Sequence, residues 1–127
     1  MSKQAVIFDL DNCLSPANAV GESLFAPAFE AIRRAGVGAF SEDRLASAFA
    51  DCWIHPYDWV AAHHGFSAAM RTAGWDVLRG LEVQGTMRGY DDLSTLERLA
   101  SRRFLVTSGF RRLQASKIRA LAIAPLF

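Results

Sequence analysis

Four apolar residues, Ala5-Val6-Ile7-Phe8, run without a break into a carboxylate, Asp9. A short apolar run with β-branched Val6 and Ile7 predicts a strand buried on both faces, as in a parallel sheet. Asp9 then stands at the carboxyl end of that strand. Asp11 lies just past it on the loop, where ligands bind in open α/β sheets. Leu10 points into the core between them, so both carboxylates can face one solvent pocket.

After Leu14 the period changes. Ser15-Pro16-Ala17-Asn18 reads as loop. From Glu22 to Ala35 the apolar residues Leu24, Phe25, Ala28, Phe29 and Ile32 fall at helical spacing on one face. Gly36 and Gly38 end that helix. Ser41 predicts the next N-cap, with Glu42 and Asp43 in the first turn and Leu45, Ala48, Phe49 and Cys52 as the apolar face. Pro56 opens a short helix through Ala62. A further helix runs from about Phe66 to Leu78 and is interrupted or ended near Gly74. No alternating strand pattern occurs between Asn18 and about Leu81.

The α/β style returns near the end. Asp91 or Asp92 caps a predicted helix carrying Leu93, Leu96, Leu99 and Ala100 and closing on Arg102-Arg103. Phe104-Leu105-Val106 predicts a second buried strand, closed by Thr107-Ser108-Gly109. A last helix spans Phe110 to Leu121, with Leu113, Lys117, Ile118 and Leu121 at helical spacing. The expected organisation is a core from residues 1–15 and 88–127, interrupted by a helical insertion over 16–87. There is no internal repeat and no low-complexity tract.

Composition narrows the function classes. With 127 residues, 51% of them hydrophobic and 21% charged, the chain has the size and balance of one globular domain. A formal net charge of +1 offers no field for a nucleic acid polymer or an acidic membrane. The pairs Arg33-Arg34, Arg102-Arg103 and Arg111-Arg112 are scattered and read as solvated helix surface. Cys13 and Cys52 have no metal or redox spacing. No run is long enough to span a bilayer, and Ala5–Phe8 is too short for a signal peptide. A reduced, cytoplasmic protein is the expectation.

Two carboxylates as close as Asp9 and Asp11 repel, and a hard divalent cation such as Mg2+ relieves that repulsion. The plainer reading is an acidic turn after a strand. Thr107-Ser108-Gly109 has a plain reading too, as a strand-to-helix turn with an N-cap. Cys52 and the histidines of Cys52-Trp53-Ile54-His55-Pro56-Tyr57-Asp58-Trp59-Val60-Ala61-Ala62-His63-His64 fit no standard zinc spacing. Packing within the insertion, with polar tips toward a substrate, is the expected role of this segment. Its aromatic groups are of the kind that stack a base or a sugar.

The order of these features is more specific than any one of them. A strand ending in Asp-x-Asp, a helical insertion, then a strand ending in Thr-Ser-Gly resembles the haloacid dehalogenase superfamily, which is mostly phosphatases. Phe8-Asp9-Leu10-Asp11-Asn12-Cys13-Leu14 is similar to its first motif and Leu105-Val106-Thr107-Ser108-Gly109 to its second. Residues from about Pro16 to Met87 resemble its helical cap. Gly109-Phe110, Leu113-Gln114 and Lys117-Ile118 resemble its nucleotidase-like members more loosely. The implied fold class is α/β, an incomplete Rossmann-like parallel core with an inserted α-helical cap.

The resemblance implies a Mg2+-dependent phosphate-monoester hydrolase acting through an aspartyl-phosphate on a small phosphorylated substrate, a nucleotide or another metabolite. Asp9 is the implied nucleophile. Asp11 is the implied acid and base. Thr107, Ser108 and Gly109 would hold the phosphate. In the family the metal is held by the first Asp side chain and the main-chain oxygen of the second, here Asp9 and Asp11.

Two departures accompany the resemblance. Cys13 stands where the family usually has Thr or Val, and is expected to be a small buried packing residue. The Lys or Arg of the third motif and the acids of the fourth are not found. Lys117 comes too early, on the helix after Thr107, and is expected at the surface. Two strands alone leave open edges and uncovered apolar faces. The expectation is an incomplete family member, a poor or inactive phosphatase by itself, partnered by a second copy or by a complementing C-terminal segment. The competing functions are an interaction module that keeps half a site, and a haloacid dehalogenase. The second is disfavoured by Asp11, which that chemistry does not need.

Overall fold

β1 (Ala5–Phe8) and β2 (Arg102–Leu105) pair in parallel, with Ala5 opposite Arg102 and Phe8 opposite Leu105. They appear in a computed structural model that describes residues 4–127 and has a mixed α/β fold. A parallel pair needs a long crossover. Here it is made of helices: α1 (Glu22–Ala35), α2 (Glu42–Asp51), α3 (Tyr57–His63) and α4 (Ala68–Leu78). Short 3-10 turns lie at Ala17–Val20 and Leu93–Arg98. α5 (Arg111–Leu121) follows β2, and a 3-10 turn at Ala124–Leu126 ends the chain.

The helix starts follow their capping chemistry. The Ser41 hydroxyl accepts the N–H of Arg44, and the Ser67 hydroxyl accepts that of Met70. Asp92 makes no such bond, and the segment after it is only the 3-10 turn Leu93–Arg98. The α-helix expected there, closing on Arg102-Arg103, does not form. Those arginines instead open β2, which begins earlier than the predicted Phe104 and ends at Leu105.

The apolar residues gather in two clusters. One is built by α1 to α4 around Ile32, Leu45, Val60 and Met70, with Leu113 of α5 joining it. The other joins Leu10, Leu14, Leu96 and Ile123 beneath Phe8 and Leu105. Among the described residues only one side of the sheet is therefore covered. On the other side Ile7, Phe104 and Val106 are 69%, 45% and 59% exposed. The expectation that both faces of β1 are buried fails, because a sheet face is buried only where a second layer packs on it.

α4 runs through Gly74 without the predicted interruption. The glycine is there for space. A Cβ at position 74 would stand 2.7 Å from Tyr57 Cζ and 2.8 Å from Ile32 Cδ1. The Tyr57 hydroxyl holds this crossing, lying 3.1 and 3.0 Å from the carbonyl oxygens of Met70 and Arg71. Gly74→Ala gains about 1 kcal/mol of helix propensity. Overpacking this contact costs typically about 1–3 kcal/mol. A net loss of about 1 kcal/mol is expected, as a lower urea midpoint with an unchanged m-value. A raised midpoint would show that the crossing has slack.

Candidate active site

The loop after β1 is wound tightly around one carbonyl. Leu10 O accepts the N–H groups of Cys13, Leu14 and Ser15 at 3.3, 2.9 and 3.3 Å. Leu10 and Leu14 are buried and anchor the loop from below. The turn requires a left-handed residue, and Asn12 takes it with φ 57°, a conformation asparagine tolerates well. Asn12 also ties the loop outward. Its Oδ1 accepts the N–H of Ala17 at 2.8 Å and its Nδ2 donates to Trp53 O at 3.2 Å. Cys13, expected to be buried, is exposed. The buried apolar positions of the turn are already filled by Leu10 and Leu14.

This winding presents Asp9 and Asp11 to one cleft of about 730 Å³. The Asp9 Oδ1 accepts the N–H of Leu10 at 2.7 Å, which ties down one oxygen of a carboxylate that lines the cleft. β2 delivers Thr107, Ser108 and Gly109 to the same cleft. Among the described residues, no main-chain acceptor faces the N–H groups of Ser108 and Gly109. They precede α5, where orphan N–H groups and the helix dipole favour an anion.

α5 adds two residues, one that the sequence reading misassigns, Lys117, and one that it leaves unplaced, Gln114. Lys117 is not at the surface. It is 4% exposed, with its ammonium 2.7 Å from Asp11 Oδ1. Gln114 is buried one turn before it. Its Nε2 lies 3.0 Å from Asp11 Oδ2, 2.7 Å from Thr107 Oγ1 and 3.1 Å from Ser108 O. Positions three apart share one helix face, so Gln114 and Lys117 reach the same carboxylate. Their signal in the sequence was two polar residues on the face that carries Leu113.

The remaining wall of the cleft comes from the helical segment. Phe25, Trp53, Tyr57 and Trp75 line it together with Phe110. Trp53 meets Phe25 edge-on at 4.9 Å, and Trp75 meets Phe110 edge-on at 4.7 Å. Cys52 also lines the cleft. Burial, with Asp51 beside it, pushes its thiol up to about 12, so it is no thiolate nucleophile at neutral pH. Burial likewise pushes the Tyr57 hydroxyl up to about 12. His55, ahead of α3, stacks on Trp59 at 3.9 Å, Trp59 stacks on His63 at 4.4 Å, and His64 Nε2 pairs with Asp51 at 2.7 Å.

A magnesium ion suits the donors present. Among the described residues no trio of His, Cys, Asp or Glu is placed to hold a metal. Mg2+ does not require one, since it is usually held by one or two carboxylates, several waters and substrate phosphate. Among the described residues, Asp9 Oδ1 accepts from Leu10 and the other carboxylate oxygen has no hydrogen-bond partner. The Asp11 carboxylate is committed to Lys117 and Gln114. Its main-chain carbonyl accepts no hydrogen bond among the described residues.

No protein-family model matches the chain, and no curated protein matches it. Among the described residues no helix is long and apolar enough to cross a membrane.

Proposed function

We propose that the chain is a Mg2+-dependent phosphate-monoester hydrolase of haloacid dehalogenase type, with a Rossmann-like core and a helical cap closing over it. The carrying observation is the convergence of Asp9, Asp11, Thr107, Ser108 and Lys117 on one cleft at the carboxyl end of a parallel strand pair. The same reading sets the protein in a reducing cytoplasm, where Cys13 and Cys52 remain free thiols.

In this mechanism the free oxygen of Asp9 attacks phosphorus and forms the new P–O bond as the bond to the leaving oxygen breaks. Asp11 enters this step protonated and passes that proton to the leaving oxygen. The carboxylate that results is the form paired with Lys117, and it then takes a proton from the water that attacks the aspartyl-phosphate. The second attack releases inorganic phosphate and restores the Asp9 carboxylate. Gln114 orients Asp11 and Thr107 through one amide. Lys117 and the N–H groups of Ser108 and Gly109 offset charge on the phosphoryl oxygens. Bound at Asp9 and the Asp11 carbonyl, Mg2+ would screen the nucleophile from the anionic substrate.

The sequence-based expectation of a poor or inactive phosphatase rested on a missing cation. With Lys117 at the cleft, the purified chain is instead expected to release phosphate from p-nitrophenyl phosphate with Mg2+, and to lose that activity with EDTA and regain it on adding Mg2+. Absence of turnover at any Mg2+ concentration would reject the assignment.

A further inference from the structure

The cleft has two chemically different walls. The carboxylates, the Thr107–Gly109 loop and Lys117 make one, and aromatic rings make the other. A space of about 730 Å³ falls in the range of sites for drug-sized ligands, far larger than a phosphate needs. Phe110 follows Gly109 directly and N-caps α5, so an aromatic ring begins where the candidate phosphate loop ends. Trp75 stands against Phe110 and is still 46% exposed. One ring is thus held rigidly by its neighbour while keeping open surface at the cleft. Trp53 is held in a similar way by Phe25, and its carbonyl is bound by Asn12 in the Asp9–Asp11 loop. Aromatic surfaces fixed beside a polar anchor favour flat π systems over aliphatic groups of equal size.

We propose that the cleft selects phosphate monoesters whose leaving group carries a planar aromatic ring, seated against Trp75 and Phe110. The inference rests on the phosphatase reading for its phosphate end and on the aromatic wall alone for its selectivity. Arg111 and Asp58 add one charge of each sign to the lining of the cleft.

Benzyl, cyclohexylmethyl and glycerol phosphates test it, because the first two are close in size and comparison with Trp75→Ala cancels their difference in leaving-group basicity. Benzyl phosphate is expected to exceed cyclohexylmethyl phosphate in kcat/KM by about fivefold. Trp75→Ala is expected to lose about tenfold on the benzyl ester, and distinctly less on the glycerol ester. Trp75→Phe should keep most of the preference, which separates stacking from mere bulk. Equal turnover of all three esters would leave the phosphatase standing and overturn the selectivity. So would an equal loss on all three in Trp75→Ala. If no ester is turned over, the phosphatase reading falls and calorimetric titration with the benzyl and cyclohexylmethyl esters decides the aromatic site alone. Tighter benzyl binding that Trp75→Ala removes upholds it, and equal or absent binding of the two overturns it.

Discussion

Asp9→Asn is expected to reduce phosphate release by about 10⁴-fold or more while leaving the fold intact. Loss of a nucleophile removes a step that the other groups cannot supply, so the remaining site gives little turnover. Asparagine has nearly the volume of aspartate and keeps an oxygen for the Leu10 N–H, which is bound at 2.7 Å. The loop wound on Leu10 O therefore has no reason to move. What changes is the second oxygen, replaced by an amide nitrogen that neither attacks phosphorus nor ligates a hard cation. Inorganic phosphate release at saturating Mg2+ measures the loss, and an unchanged urea midpoint confirms that the fold is intact. Turnover within tenfold of the unaltered chain would rule out the covalent route.

Much of the frame was legible because local physics decided it. The α1 limits followed from a single apolar stripe and its glycine stop. Ser41 capped α2 as its hydroxyl chemistry requires. Leu10 pointed inward, and Asp9, Asp11 and Thr107 reached one cleft, because two parallel strands place their ends together. The misses came from tertiary contacts. Gly74 reads as a breaker, but only the position of Tyr57 reveals that it makes room. The β1 run reads as buried on both faces, but the count of only two strands points the other way, to a poorly covered sheet, and the count is right: Ile7 is 69% exposed. Lys117 reads as surface because lysines usually are. Its burial follows from a carboxylate about a hundred residues away in the chain, brought within 2.7 Å by the fold. On the proposed phosphatase reading, Lys117 is thus a candidate for the cation at the phosphate, on the helix after Thr107.

That buried pair yields an asymmetric prediction. The side chain of Asp11 is 32% exposed, whereas that of Lys117 is 5% exposed. Lys117→Met fills the same space with an apolar chain and removes a charge that is costly to bury. Water can reach the Asp11 carboxylate that remains, and Gln114 still bonds it. Stability should change by no more than about 1 kcal/mol. Activity should fall by about 10²–10³-fold, the usual effect of deleting one preorganised contact to developing charge. Asp11→Asn acts the other way round. It strands an ammonium in a site with little water, and one amide oxygen only partly repairs that. About 2–3 kcal/mol of stability should be lost, below the ~3–5 kcal/mol typical when a fully buried pair is broken. Turnover should fall as well, through loss of the acid and base. The double variant, Asp11→Asn with Lys117→Met, should recover most of the lost stability and none of the activity, because the stranded charge is gone. Urea unfolding of the four proteins measures the cycle. Additive stability changes would show that Lys117 and Asp11 do not form the pair described, and a Lys117→Met variant with full activity would remove the lysine from the mechanism.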